Sequence, residues 1–178
     1  MKITMVLGSP RKDSISTSIA MSFADGAREA GHDVKIYNVN ELDMMGCQAC
    51  GCCRKYDTDC VVEDDMREYF KDLRQSGALV ITSPNYYSQI AGPMITFMNR
   101  HYCLLDKEKN PRLKDCKKLF AFFAQGAPEG YEKYIPNYEW YISTFTSKNM
   151  ELVKCIAAGA GSDVEAMKNE AYEAGKAL

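Results

Sequence analysis

An α/β domain built on a doubly wound parallel sheet is what the sequence predicts, and three observations carry that expectation. Short β-type runs alternate with amphipathic helical stretches along the whole chain. One run, "ALVITSP" at 78–84, is almost continuously apolar, as a strand covered by helices on both faces must be. The 178 residues, 46% of them hydrophobic, suffice for one domain with a substantial core. No linker, repeat or low-complexity tract interrupts them, so residues 1–178 are expected to form a single domain with a cysteine-rich loop at 46–62.

The elements follow in order. "KITMVL" (2–7) reads as the first strand and "SIAMSFADGAREAG" (18–31) as the first helix. Its apolar face is Ile19, Ala20, Phe23 and Ala27, and Gly31 stops it. "HDVKIYNV" (32–39) alternates as a second strand, reached by a right-handed crossover. Beyond the cysteines, "EDDMREYFKDLRQSG" (63–77) is helical, with Met66, Tyr69, Phe70 and Leu73 on one face and Asp64 and Asp65 as caps. The apolar run at 78–84 is the third strand. "AGPMITFMNRHYCLL" (91–105) is a helix entered through Pro93. "KKLFAFFAQG" (117–126) and "ELVKCIAAG" (151–159) are the fourth and fifth strands. A helix over 138–147 lies in the aromatic segment between them, and "DVEAMKNEAYEAGKAL" (163–178) closes the chain as a helix.

The charge balance, 22 basic against 24 acidic residues for a net −2, predicts neither a nucleic-acid nor a membrane-surface partner. No apolar run approaches the ~20 residues of a membrane span, and "MKITMVLGSP" turns polar too soon for a secretory signal. The expected compartment is the cytoplasm. Thiols stay reduced there, so clustered cysteines lean toward metal or redox chemistry.

Three loops leave the carboxyl ends of strands, where ligands bind in such sheets. "GSPRKDSISTS" follows the first strand. It offers the hydroxyls of Ser9, Ser14, Ser16, Thr17 and Ser18, the Arg11 guanidinium and the free N–H groups of a helix start. That set suits a dianionic monophosphate; the competing reading is a helix cap with a solvated turn. "SPNYYSQIAGPM" (83–94) follows the third strand, and Tyr86 and Tyr87 could enclose a planar ring. "AQGAPEGYE" (124–132) follows the fourth, with Gly126, Pro128 and Gly130 allowing close backbone approach. The two histidines form no catalytic pair. His32 is expected at the surface and His101 at a helix end, where its charge would suit the dipole.

Of eight cysteines, Cys47, Cys50, Cys52, Cys53 and Cys60 fall within fourteen residues. A metal site, free thiols and a redox disulfide are all compatible with that cluster. Cys103, Cys116 and Cys155 are expected to be small buried apolar residues.

Together, "GSPRK…STS", "SPNYY…GPM…FMNR" and "GAPEG" resemble the NADPH-dependent FMN reductase-like branch of the flavodoxin-like superfamily, over roughly residues 1–130. The resemblance implies a three-layer sandwich with five parallel strands in the order 2-1-3-4-5 and FMN at their carboxyl ends. By position, Ser9, Arg11, Ser16, Thr17 and Ser18 would hold the phosphate, with Ser14 able to exchange roles with Ser16. Pro84, Asn85, Tyr86 and Tyr87 would line the isoalloxazine ring, and Gly126 and Ala127 its other edge. The implied function is an FMN-dependent oxidoreductase that passes electrons from NAD(P)H to a small-molecule or protein acceptor, with no obligatory catalytic side chain. A homodimer or homotetramer is implied as well.

Omitting Cys52, the spacing Cys47-x2-Cys50-x2-Cys53-x6-Cys60 resembles the iron–sulfur flavoproteins of the same superfamily. It implies a [4Fe–4S] cluster on those four thiolates and a role in electron transfer. A structural Zn2+ or an unused loop is the alternative for the cysteines. A flavin-less thiol- or metal-binding regulatory domain is the alternative for the whole chain.

Overall fold

A computed structural model describes residues 1–178. The strands are β1 (Lys2–Leu7), β2 (Asp33–Asn38), β3 (Ala78–Tyr86), β4 (Gln89–Ile90), β5 (Lys117–Pro128) and β6 (Met150–Ala160). The helices are α1 (Ile15–Glu29), α2 (Cys52–Lys55), α3 (Met66–Gln75), α4 (Gly92–Arg100), α5 (Ile135–Thr146) and α6 (Val164–Lys176). Five parallel strands run in the order β2-β1-β3-β5-β6, and β4 pairs antiparallel with the end of β3.

Alternation along the strands divides the core in two. Leu79, Ile81, Leu119, Ala121 and Phe123 join the apolar faces of α3, α4 and α5. Ala78, Val80, Phe120 and Phe122 face Ile19, Ala20, Phe23 and Ala27 of α1 and Ala171 of α6. The expected three layers and five-stranded parallel sheet are present, and β4 is an addition. It arises because Tyr87 and Ser88 turn back at φ 52° and 66°, a left-handed turn without glycine.

Boundaries shift for local reasons. α1 starts at Ile15 because the Ser14 side chain caps it, accepting from the Thr17 N–H. The helix expected over 91–105 ends at Arg100 and tightens into a 3-10 turn at His101–Leu104. α5 starts three residues before the expected 138, with Pro136 in its first turn.

Two expectations about single residues are corrected. His101 is not a charged cap: it is buried, and desolvation pushes it down to about 3, leaving it neutral. Cys103 is buried, but Cys116 and Cys155 are exposed, one just before β5 and the other on the edge strand β6.

α1 and α6 approach through glycines. A Cβ on Gly26 would stand 2.1 Å from the Tyr172 carbonyl oxygen, and one on Gly175 would stand 2.2 Å from that of Phe23. Backbone on both sides leaves no flexible group to yield. Gly26→Ala is therefore expected to destabilise the protein by about 1–3 kcal/mol, the range for overpacking, read as a lower urea midpoint with an unchanged slope.

Candidate functional site

β1, β3 and β5 are neighbours in the sheet, so the loops at their carboxyl ends lie side by side. The first two are tied directly: the Gly8 N–H donates to Thr82 Oγ1 at 3.2 Å. Gly8 is held to glycine here, since a Cβ would lie 2.4 Å from the Thr82 carbonyl oxygen.

In the first loop Ser9, Ser14, Ser16 and Thr17 are buried while Arg11 is exposed. Ser9 Oγ accepts from the Arg11 N–H at 3.2 Å, which curls the loop. The Ser14 hydroxyl accepts from the Thr17 N–H at 3.2 Å and donates to Thr17 Oγ1 at 2.8 Å, so it is committed to the helix start. Ser18 donates back to the Ile15 carbonyl at 2.9 Å. Ser9, Arg11 and Thr17 instead line a cavity of about 400 Å³, together with Lys12, Asn38 and Glu41. Lys12 adds a second cation that sequence reasoning passed over, although the "RK" pair announced it.

The second and third loops are joined by polar contacts. Asn85 Nδ2 donates to Tyr138 Oη at 3.3 Å, Tyr138 Oη donates to Gln125 Oε1 at 2.6 Å, and Gln125 Nε2 donates to the Pro128 carbonyl at 2.6 Å. Tyr138 is stacked on Phe123 with ring centroids 4.4 Å apart, which fixes its hydroxyl between the loops. Gln125 and Tyr138 were not singled out from the sequence; only Gln125, inside "AQGAPEG", carried a positional hint. Pro84 is buried, Asn85 is half-buried, and Tyr86 and Tyr87 project outward, Tyr87 fully exposed. At Gly126 no atom lies within 4 Å of where a Cβ would be, and neighbouring Ala127 is half-buried.

The cysteine loop joins β2 to α3 along the chain. Cys47 and Cys50 are exposed, Cys60 half-buried and Cys53 buried. All four line one cavity of about 480 Å³, whose wall also includes Arg100 and Cys103. Cys52 is not part of that wall; its sulfur lies 3.9 Å from the Cys50 carbonyl oxygen. The thiols surround the cavity rather than converge, and no three His, Cys, Asp or Glu side chains are arranged to hold a metal ion.

Arginines frame the loop. Arg112 donates to the carbonyls of Cys53 at 2.8 Å and Cys103 at 3.2 Å, to that of Thr58, and to Asp57 at 2.6 Å. The Arg54 guanidinium sits 4.0 Å from the centre of the Tyr102 ring. Arg100 is fully buried against Asp64. Burial alone would weaken its charge; Asp64 and the neighbouring Cys60 sulfur outweigh it, holding the guanidinium charged. The Nε atoms of Arg54, Arg100 and Arg112 are buried without a hydrogen-bond partner. Burial pushes the Cys53 thiol up and the Cys103 thiol to about 12, whereas hydrogen bonding from Cys52 lowers Cys50.

This strand order, with loops gathered at the carboxyl edge, defines a flavodoxin-like protein. Over its whole length the fold is similar to an NAD(P)H:quinone oxidoreductase from Methanothermobacter marburgensis, at TM-score 0.75 and 16% identity over 99% of this chain and 96% of that one. A flavodoxin from the domain Archaea aligns at TM-score 0.59 and 17% identity, over 99% of this chain and 95% of that one. The profile of the NADPH-dependent FMN reductase family matches residues 1–132, and the chain belongs to that family of FMN-dependent NAD(P)H oxidoreductases. An iron-sulfur flavoprotein of Methanosarcina thermophila is 30% identical over 143 residues, 79% of this chain and 72% of the relative. The chain spans less of two further iron-sulfur flavoproteins: 56% of one from Methanocaldococcus jannaschii and 60% of one from Archaeoglobus fulgidus.

Proposed function

We propose that this protein binds FMN across the three loops and passes electrons from NAD(P)H to a small-molecule or protein acceptor. The observation that carries the reading is the juxtaposition of a hydroxyl- and cation-lined cavity after β1 with the tied loops after β3 and β5. Ser9, Arg11, Lys12, Ser16 and Thr17 hold the phosphate, aided by the N–H groups that open α1. Ser14 sets the helix start rather than touching the phosphate, and Ser18 supports it from the next turn. Pro84, Asn85, Tyr86 and Tyr87 flank the ring, and Gly126 and Ala127 bring backbone to its far edge. Bound FMN supplies hydride acceptance from a reduced nicotinamide and onward delivery of electrons in pairs or singly.

Arg11 is exposed, so changing it leaves the core intact. Arg11→Glu is expected to weaken FMN binding about tenfold to hundredfold, the 1.4–2.7 kcal/mol scale of a charge-assisted phosphate contact, while riboflavin, which lacks the phosphate, binds as before. Fluorescence titration of flavin-free protein with both compounds decides it. Equal losses would place Arg11 away from the phosphate. A colourless protein that takes up neither compound would restore the regulatory-domain reading.

The cysteine loop supports a second cofactor, a [4Fe–4S] cluster on Cys47, Cys50, Cys53 and Cys60, and with it a part in one-electron transfer. Four thiols line one cavity that Cys52 does not enter, and unpartnered arginine N–H groups around the loop suit an anionic guest. Sulfur ligands spread around a cavity fit a multi-iron cube better than a single Zn2+. Anaerobic purification with iron and sulfide quantification tests this: about four of each per chain is the expected stoichiometry for such a cluster, and it is lost in Cys60→Ser. Tyr86, Tyr87 and Trp140, all exposed, supply apolar surface that a homodimer or homotetramer would cover. No helix is long and apolar enough to cross a membrane.

A further inference from the structure

We propose that Arg100 is the positioning residue of the cysteine cavity: its Nε–H donates a hydrogen bond to sulfur there and raises the reduction potential of the cluster. This rests on the cluster reading above.

The Arg100 side chain has no exposure to solvent. Its Nη1 donates to the Met45 carbonyl at 2.7 Å and to Asp64, and its Nη2 donates to Asp64 Oδ1 at 3.0 Å. Nε is left without a partner. Asp64 offers it nothing more, because Oδ1 also accepts from the Met66 N–H and Oδ2 from the Met45 N–H. A buried guanidinium N–H left without an acceptor carries its full desolvation penalty, larger for a charged donor than for a neutral one. The four cysteine sulfurs share its wall, beside the side chains of Gln48, Asn99 and Tyr102. Arg100 lines the cavity of the four cysteines, and it meets Cys60 again in the smaller cavity behind.

The pairing with Asp64 also decides what kind of influence Arg100 exerts. Its net charge is cancelled nearby, so its remaining effect on the cavity is directional. A hydrogen bond to a ligating or bridging sulfur stabilises the more negative, reduced cluster and so raises its potential. Lysine in its place keeps a cation but has no Nε and no fork. Met45 and Asp64 bracket the loop, so the same side chain also holds the loop's two ends.

The test uses anaerobically prepared full-length protein carrying FMN and cluster, as wild type, Arg100→Lys, Arg54→Lys and Arg112→Lys. The cluster potential is read by a redox titration followed by electron paramagnetic resonance. Pulsed spectra of protein labelled with 15N-arginine report nitrogen coupled to the reduced cluster. Expected are an arginine coupling in wild type that survives in Arg54→Lys and Arg112→Lys, and an oxidised-to-reduced equilibrium shifted about tenfold toward oxidised in Arg100→Lys, which is about 59 mV for one electron. Loading of iron, sulfide and FMN in that variant shows that it folds. An unshifted potential in a loaded Arg100→Lys overturns the inference. So does wild-type protein without arginine coupling, or a coupling abolished by Arg54→Lys or Arg112→Lys, and these hold even if Arg100→Lys does not fold. Wild-type protein that takes up no iron or sulfide overturns the cluster reading itself, which is a different result from an unshifted potential.

Discussion

Asp64→Asn is expected to cost about 3–5 kcal/mol of folding stability, the range for removing one partner of a buried ion pair. The reason is arithmetic on one carboxylate. Asp64 receives Arg100 through both oxygens, the Met66 N–H at 3.1 Å and the Met45 N–H at 3.1 Å. Its side chain is 2% exposed and that of Arg100 0%, so water compensates neither charge. Asparagine keeps one acceptor oxygen, but its amide would point a donor at a guanidinium or a backbone N–H. Arg100 would then stand buried and uncompensated. Burial pushes the Asp64 carboxyl up, yet Arg100 and the two N–H groups outweigh it and hold it below the usual carboxylate range. A depressed carboxyl contributes stability above its unfolded pKa and loses it as pH falls through the folded one. The gap between wild type and Asp64→Asn should therefore be full at neutral pH and narrow below pH of about 4. Urea unfolding at both pH values measures it. A gap under about 1 kcal/mol at neutral pH would place this pair with exposed ones.

That ion pair also marks where sequence reasoning stops. Asp64 reads as a helix cap, and it does accept from the Met66 N–H. Its heavier duty, to a residue 36 positions away, leaves no local pattern. β1 was legible to the residue because the "GSP" after Leu7 ends any strand, and β3 because seven buried residues in succession suit only a central parallel strand. β4 was not legible, since Tyr87 and Ser88 adopt left-handed backbone that glycine or asparagine would have signalled. α5, rich in aromatic and hydroxyl residues of modest helix propensity, was read late at its start. In the site, hydroxyls and thiols were legible because their types are rare in such density. Tyr138 was not, because an aromatic in an aromatic segment reads as core, and its hydroxyl matters only once β3 and β5 are neighbours.

Wild-type protein is also expected to lose stability steeply in mild acid because of His101. The Phe97 carbonyl, 3.0 Å from Nδ1, can only accept, so Nδ1 carries the proton. Nε2 is then the acceptor of the Tyr69 hydroxyl at 2.7 Å. Both ring nitrogens are satisfied in the neutral form, and a second proton would meet the Tyr69 O–H in a site ringed by Tyr69, Phe70, Phe97 and Phe145. Desolvation, and to a smaller extent the positive charges of Lys148 and Arg100, lowers His101 from 6.5 to about 3. Between those values the unfolded chain binds a proton that the folded one refuses. Stability therefore falls with falling pH, at up to about 1.4 kcal/mol per pH unit. The onset lies near the ordinary histidine value, well above the window in which Asp64 titrates. His101→Gln cannot take up that proton, so its stability should fall far less steeply from about pH 6 to pH 4.5, whatever its absolute level, with only the lowered His32 left among the histidines to contribute a slope. Urea midpoints across that interval separate the two, and a wild-type profile no steeper than that of His101→Gln would show that the buried imidazole is charged in the folded protein.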